Sequence, residues 1–372
     1  MKSYVITCLV FVNLICLACL QAGSVSYVSA NFLIFGPSSN EVTAERLDIL
    51  AAMKTVDGRP AVSTITIPIF DDDVGQYDRL KGLLQRYPFH IVTITANASD
   101  RDITSLDEGI GRSGVEFLKE KILITKKLGS KVLSGALLFP ELNDSHSRSG
   151  NSSHWPLNSS GEHIVAPALT ELANQRLRIA VGRMQEVADF AAEQGITLAL
   201  EYITHWEICG CNTLSSAIAF ALEVNRPNFG ILTDISHEVH QGKGPYIYAG
   251  GLQLAKNAGV PIFIQVSEPG RGEIVNSWLP FDQFFGILQG LSLVDEEHPL
   301  DVEIFDAKGT NSLLFQLTRD PFPDPMRVLL DGISYTHKRY AEVPVGYQSN
   351  PEGALSTAEA LIAQERAAVY TH

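Results

Sequence analysis

Cysteine is scarce in this chain, and the few cysteines are not spaced to form a set of stabilising disulfide bonds. The sequence has 5 among 372 residues, and three of them precede Leu20. The other two, Cys209 and Cys211, are one residue apart, which is too close for ordinary disulfide geometry. A disulfide framework is therefore excluded, and the hydrophobic core has to stabilise the fold.

Positive charge is also in short supply. Lys and Arg total 28 against 42 Asp and Glu, which gives a net charge of −14 at pH 7. Such a surface repels a phosphate backbone, so the composition argues against a nucleic-acid partner.

Common nucleotide and nucleophile motifs are missing as well. The sequence has no P-loop and no G-x-S-x-G elbow. The string Gly109–Gly114 matches the dinucleotide fingerprint, but it follows the polar run TSLDE instead of a strand, and we predict a helix-entry loop there. His237 and His240 are three residues apart, whereas a zincin helix places its two histidines four apart.

One long apolar run stands at the amino terminus. Tyr4–Leu20 follows the basic Lys2 and precedes small residues, which is the order of an export signal. We predict a signal peptide over residues 1–22, or to 30, with cleavage after Ala22 or after Ala30. The mature protein would be periplasmic or secreted, without stable membrane insertion. An uncleaved membrane anchor is the alternative, although the run is short for crossing a bilayer.

Strand-like and helix-like segments alternate along the rest of the chain. Strand candidates are Ser29–Phe35, Val62–Pro68, His90–Ala96, Lys131–Leu138, Ile196–Tyr202, Phe229–Asp234, Pro261–Val266 and Leu300–Phe305. Helical periodicity marks Val115–Leu128, Leu169–Gln194, Leu214–Asn225 and Phe281–Leu291. Eight βα units predict an α/β fold, a single-domain (β/α)8 TIM barrel over residues 31–345, followed by a C-terminal tail, 346–372. A doubly wound sheet is the structural alternative.

Residues 140–167 are the one large irregularity. This segment is rich in Ser, Asn and His and carries Trp155. We predict a loop insertion over the active-site rim, as a lid or as a mobile surface loop. N-x-S sequons, which matter only in a host that glycosylates exported proteins, occur at Asn97, Asn143, Asn151 and Asn158.

Oxygen-bearing side chains stand at the ends of four consecutive apolar runs: Glu201, Asp234, Gln265 and Glu303. Their spacings of 33, 31 and 38 residues each correspond to one strand plus one helix. Successive strands would deliver them to one rim of a parallel barrel. Converging carboxylate and amide oxygens suit a hard divalent cation, so we predict a site for Mn²⁺, Mg²⁺ or Co²⁺.

The same region resembles a known group of enzymes. The matching stretches are GVEFLKEKILITKKLGSKVLSG, LALEYITHWEICGCNT, AIAFALEV, LTDISH, QVSEPGRG and VEIFDAKG. In this order they are similar to the ketohexose (D-tagatose/D-psicose) 3-epimerases of the xylose isomerase-like TIM barrel superfamily, the sugar phosphate isomerases/epimerases. The resemblance covers more than half of the chain and is clearest between Ala199 and Phe305.

The resemblance implies a role for each matching residue. Glu201, Asp234 and Glu303 fall on metal ligands, and Gln265 falls on the fourth, where these epimerases usually have histidine. Glu207, His237 and Arg271 match the residues that bind the O1 and O2 end of the sugar.

The implied activity is C3 epimerisation of a ketohexose or keto-sugar through an enediolate, with Glu201 and Glu303 as the proton-transfer residues. Two other functions stay open on the same fold. A lyase or dehydratase would expel a β-hydroxyl from the same intermediate, and a non-catalytic exported sugar-binding protein would have lost a working metal site. A nuclease fits least well because of the charge. The partner in each remaining case is a small sugar, and a homo-oligomer is left open.

Overall fold

The computed structural model describes residues 27–71, 74–140, 168–205, 207–307, 319–343 and 353–371. In these ranges eight parallel strands, paired in chain order, close into a barrel. The strands are β1 Val28–Asn31, β2 Thr64–Pro68, β3 His90–Ala96, β4 Val132–Ala136, β5 Thr197–Glu201, β6 Phe229–Asp234, β7 Ile262–Val266 and β8 Leu300–Val302. The α-helices are α1 Ala44–Ala52, α2 Val74–Leu84, α3 Glu108–Lys127, α4 Ala168–Gln194, α5 Leu214–Val224, α6 Ile235–Gln241, α7 Pro245–Asn257, α8 Phe281–Gly290, α9 Pro325–Ala341 and α10 Ala354–Tyr370.

The predicted (β/α)8 barrel is confirmed, and its strands explain the pattern that predicted it. Every residue of β6 is buried, because one face points into the barrel and the other lies under helices. The bounds of β3 and β6 agree with the prediction. The ladders of β1 and β8 are shorter than predicted, since Phe32–Phe35 turns into a 3₁₀ helix and the chain after Val302 leaves the strand.

The glycine string at residues 109–114 is part of a helix and not the predicted helix-entry loop. Helix α3 begins at Glu108, with Asp107 accepting a hydrogen bond from the Ile110 N–H as its N-cap. A Cβ on Gly111 would lie 2.1 Å from the Arg183 guanidinium, and one on Gly114 would lie 2.5 Å from the Ile103 backbone nitrogen. Close packing therefore accounts for these two glycines without a nucleotide.

Both ends of the predicted domain need correction. The barrel begins at Val28, before residue 31, and β1 pairs with both β2 and β8. Cleavage after Ala30 would remove most of this strand, whereas cleavage after Ala22 would keep it whole. At the other end, residues 354–370 of the predicted tail form α10, which packs on α4, α5 and α7. A Cβ on Gly250 would lie 2.1 Å from the Ala354 carbonyl oxygen, so α7 and α10 touch backbone to backbone there.

Several predictions fall outside the described residues: the signal peptide up to residue 26, nearly all of the 140–167 insertion, and the sequons at Asn143, Asn151 and Asn158. The sequon at Asn97 can be judged, because Asn97 is buried and its Nδ2 donates to the carbonyl oxygens of Leu137 and Leu138. That amide cannot carry a glycan in the folded protein. Within the described ranges, no helix has the length and apolar character needed to cross a bilayer.

Candidate active site

The barrel brings the four predicted metal ligands to one end. Glu201 and Asp234 are the last residues of β5 and β6, Gln265 is the penultimate residue of β7, and Glu303 directly follows β8. Their exposed fractions are 6%, 0%, 0% and 2%. In a parallel barrel the carboxyl ends of all strands face the same way, and that rim is where such barrels place their active sites.

Helix α6 brings His237 into this cluster. Asp234 caps the helix by accepting the Ser236 N–H at 2.8 Å, so the chain turns directly at the strand end. His237 follows within the first turn, with its Nε2 at 3.2 Å from Glu201 Oε1 and 3.8 Å from Asp234 Oδ2. One ligand atom from each of these three residues lies within 4.8 Å of the others, which is close enough for one metal ion to reach all of them.

Arg271 places a positive charge among the acids. Its Nη1 contacts Asp234 Oδ2 and lies 2.9 Å from Glu303 Oε2, while its Nη2 contacts His237 Nε2. The residue is 4% exposed and has a left-handed backbone, φ 58°. For a residue other than glycine this conformation costs about 1 to 3 kcal/mol, so the surrounding structure has to hold it in place.

Gln265 turns its amide nitrogen toward acids. Nε2 donates to Glu303 Oε1 at 3.0 Å and lies 3.4 Å from Asp301 Oδ2. Its carbonyl oxygen is buried and has no hydrogen-bond partner among the residues that the structure describes. A buried acceptor without a partner is costly, so this oxygen suits a ligand that would satisfy it.

The pKa values of the buried acids show how strongly their negative charges repel one another. Burial, together with the charge of Asp234, raises the pKa of Glu201 to about 8. Burial also raises the pKa of Glu303 well above its ordinary value, and the opposing charge of Arg271 does not compensate. For Asp234, burial acts upward but Arg271 and His237 outweigh it, so its pKa is lowered. The site therefore holds more carboxylate than Arg271 can neutralise.

These observations fit a divalent cation. The donors are hard oxygens, the carboxylates need additional positive charge, and the Gln265 carbonyl lacks a partner. Glu201, Asp234, Gln265 and Glu303 would hold the ion. His237 lies within 4.8 Å of Glu201 and Asp234 and could also offer a ligand nitrogen, so it stands at the boundary between ligand and substrate contact.

Glu207 lies less deeply than the other predicted site residues. It follows β5 in a loop, is partly exposed, and accepts a hydrogen bond from Thr204 Oγ1 at 2.6 Å. Its charge contributes to the raised pKa of Glu201, which places it near the cluster. Its assigned contact with the sugar stays a prediction.

Sequence reasoning missed Asn31 and Asp301, which lie beside the predicted ligands. Asp301 is buried and accepts hydrogen bonds from Asn31 Nδ2 at 2.9 Å and Thr66 Oγ1 at 2.8 Å. A usable signal was present in the string LDVE. Residues two apart on a strand share a face, so Asp301 points the same way as Glu303.

Glu238 is a buried acid behind the site. It accepts a hydrogen bond from the Tyr202 hydroxyl at 3.0 Å, and the same hydroxyl lies 2.8 Å from Thr233 Oγ1. Burial raises the pKa of Glu238 from 4.5 to about 8, and the Tyr202 hydrogen bond opposes this only in part. The folded protein therefore keeps this carboxyl protonated at neutral pH.

Glu238→Gln should make the protein less sensitive to alkaline pH. Between pH 4.5 and about 8 the folded state holds a proton that the unfolded state has released. This contribution to stability is present at low pH and falls as pH rises through the window, by up to about 1.4 kcal/mol per pH unit. Urea denaturation should give the variant and the wild type similar free energies of unfolding near pH 5, and a clear advantage to the variant near pH 8.5. An unchanged difference between the two pH values would contradict the assignment.

Comparisons with known proteins agree with this fold. A family model described as "Xylose isomerase-like TIM barrel" matches residues 53–308. The L-ribulose 3-epimerase of Methylomonas sp. (strain DH-1) is 26% identical over 240 residues, 63% of this chain and 72% of that protein. The ketose 3-epimerase of Arthrobacter globiformis is 26% identical over 207 residues, 55% of this chain and 60% of that protein. A crystal structure of D-allulose 3-epimerase from Methylomonas sp. in complex with D-allulose covers 85% of this chain and 97% of its own, with a TM-score of 0.65 and 21% identity.

Proposed function

The chain belongs to the xylose isomerase-like TIM barrel family, and from this premise we propose that it is a divalent-metal-dependent 3-epimerase of a ketose. One observation carries the proposal most directly. Two buried glutamates, Glu201 and Glu303, reach the carboxyl rim from strands on different sides of a cluster that contains Asp234, His237 and Arg271. Ketose 3-epimerases among the relatives make sugar inversion the activity to test first.

The metal would be held by Glu201, Asp234, Gln265 and Glu303. When bound, it would supply Lewis acidity to neighbouring carbonyl and hydroxyl oxygens of a ketose. Arg271 Nη1 contacts two of the same carboxylates, Asp234 and Glu303, and so keeps a fixed positive charge beside the proposed ion site.

Proton transfer would fall to the two glutamates. Inversion at C3 requires a base on one face of the sugar and an acid on the other. Glu303 would take the C3 proton and Glu201 would return one, and for a substrate of the opposite configuration the roles reverse.

Arg271 and His237 would stabilise the charge that develops on the oxygens. Both side chains are buried, and Arg271 is held by Asp234 and by Ser267 Oγ, the latter at 2.9 Å. Donors fixed before the reaction need little reorganisation when an enediolate forms, and each is typically worth about 3 to 4 kcal/mol.

The proposed localisation and substrate class rest on the sequence. We propose cleavage after Ala22 and export to the periplasm or the medium, since this cut keeps β1 whole. A small sugar is the proposed substrate, and the net charge of −14 disfavours a nucleic acid.

Deuterium incorporation tests the proposed reaction. In D₂O with Mn²⁺, purified protein incubated with D-allulose or L-ribulose should yield the C3 epimer with deuterium at C3, because the removed proton exchanges with solvent. Nuclear magnetic resonance would report both products and label. Epimer without label would exclude the enediolate route. A product lighter by one water would identify the lyase, and saturable sugar binding without exchange would identify a binding protein.

A further inference from the structure

Two amides and two carboxylates meet inside the barrel, and we call Asn31, Asp301, Gln265 and Glu303 the amide–carboxylate square. Asn31 Nδ2 donates to Asp301 Oδ2 at 2.9 Å and lies 3.4 Å from Glu303 Oε1. Gln265 Nε2 reaches the same two oxygens, at 3.4 Å and 3.0 Å. Each amide therefore has a carboxylate acceptor for both of its N–H hydrogens.

The square decides which way each amide faces. An amide can be turned end for end with almost no change in shape, so its hydrogen bonds determine where its oxygen points. Both NH₂ groups face oxygens of Asp301 and Glu303, which accept their hydrogen bonds. The carbonyl of Asn31 then accepts the Leu33 N–H at 3.0 Å. The carbonyl of Gln265 points away from both acids, buried and without a partner among the described residues.

Asp301 also has a hydrogen-bond partner outside the square. Its other oxygen, Oδ1, accepts a hydrogen bond from Thr66 Oγ1 at 2.8 Å, and Thr66 Oγ1 lies 3.0 Å from Ser29 Oγ. In strand register Asp301 pairs with Ser29 on one side and with Gln265 on the other. It thus ties the Gln265 amide to β1 and β2.

We infer that Asp301 is a positioning residue, which fixes the Gln265 amide so that its carbonyl oxygen is presented to the divalent cation. This inference rests on the proposed function. Without Asp301, the Gln265 nitrogen keeps one carboxylate acceptor, and the reversed orientation costs less. An NH₂ group turned toward the ion has no lone pair to offer and repels it. Asp301 would therefore act through Gln265, without touching metal or sugar.

Mn²⁺ titration of four proteins tests the inference. Isothermal titration calorimetry would compare the wild type, Asp301→Leu, Gln265→Met and the double variant. Leucine has the branched shape of aspartate without its oxygens. We expect Asp301→Leu to weaken Mn²⁺ binding at least about tenfold, the usual scale for a group that orients a metal ligand. In the Gln265→Met background the same change should cost almost nothing, because no amide is left to orient.

The outcomes separate the inference from the proposed function. Equal losses in both backgrounds would mean that Asp301 acts independently of the Gln265 amide, through its charge or through the fold. No loss in either would mean that it does not act on binding. Each result overturns the inference alone. A wild type that takes up no Mn²⁺ overturns the metal dependence and the inference with it. Asp306→Leu is the matched control, since Asp306 is also buried and binds the Phe322 N–H at 2.9 Å. An equal loss there would show that the effect is unspecific. Urea denaturation checks folding, and Asp301→Val replaces Asp301→Leu if the latter does not fold.

Discussion

Glu303→Gln should lower the rate of C3 epimerisation by several orders of magnitude while leaving sugar binding largely intact. The amide keeps the shape of the side chain, and its carbonyl can still accept from Asn31 and Gln265, but it cannot take a proton from carbon. Because Glu303 is also a proposed metal ligand, turnover would be measured at saturating Mn²⁺ together with the Mn²⁺ content of the variant. Titration with the sugar would then show that binding is kept while the rate is lost.

Glu238→Gln is the matched control for this variant. It makes the same change in another buried glutamate, which contacts Tyr202 and lies outside the proposed machinery. Its turnover should stay near that of the wild type. A Glu303→Gln protein with a normal rate would show that Glu303 is not the base, and an equal loss in both variants would point to a general disturbance of the fold.

Removal of divalent metal should abolish turnover and lower the melting temperature. A ligand that binds only the folded state stabilises it by about 2.7 kcal/mol at one hundred times its dissociation constant. For a chain of this size such a loss corresponds to several degrees. Scanning calorimetry with EDTA, and then with Mn²⁺ restored, would measure the shift.

Asp234→Asn provides the comparison for metal removal. The change removes a carboxylate that the ion would need, while the Asn carbonyl can still cap α6 through the Ser236 N–H. EDTA should then leave the melting temperature of this variant almost unchanged. A wild type that is equally indifferent to EDTA and to added Mn²⁺ would contradict the metal assignment.

The sequence predicted the barrel well because its strands are buried on both faces. Such strands are continuous apolar runs with sharp ends, so the oxygen-bearing residues that close them, such as Glu201 and Asp234, stand out. Their regular spacing along the chain was enough to place them on one rim. The structure brings them together as expected, and their chemical roles stay predictions.

What sequence reasoning missed depends on contacts between distant strands. Asn31 follows three small or apolar residues and has no local pattern that marks it, and its partner Asp301 is 270 residues away. The predicted helix Val115–Leu128 starts later than α3, which begins at Glu108. The first turns of α3 are rich in glycine, which ordinarily disfavours a helix. Gly111 and Gly114 allow close packing against α4 and against the chain near Ile103, which only the folded arrangement shows.

The amide–carboxylate square lies on the seam where the barrel closes. Asn31 belongs to the first strand and Asp301 to the last, and they meet only once β1 and β8 have joined. A cation that needs the ordered Gln265 carbonyl would bind the closed barrel far more strongly than a partly folded chain. Its binding free energy would therefore stabilise the pairing of β1 with β8. A chain truncated to lack β1 or β8 should therefore bind the ion weakly even if most of its helices still form.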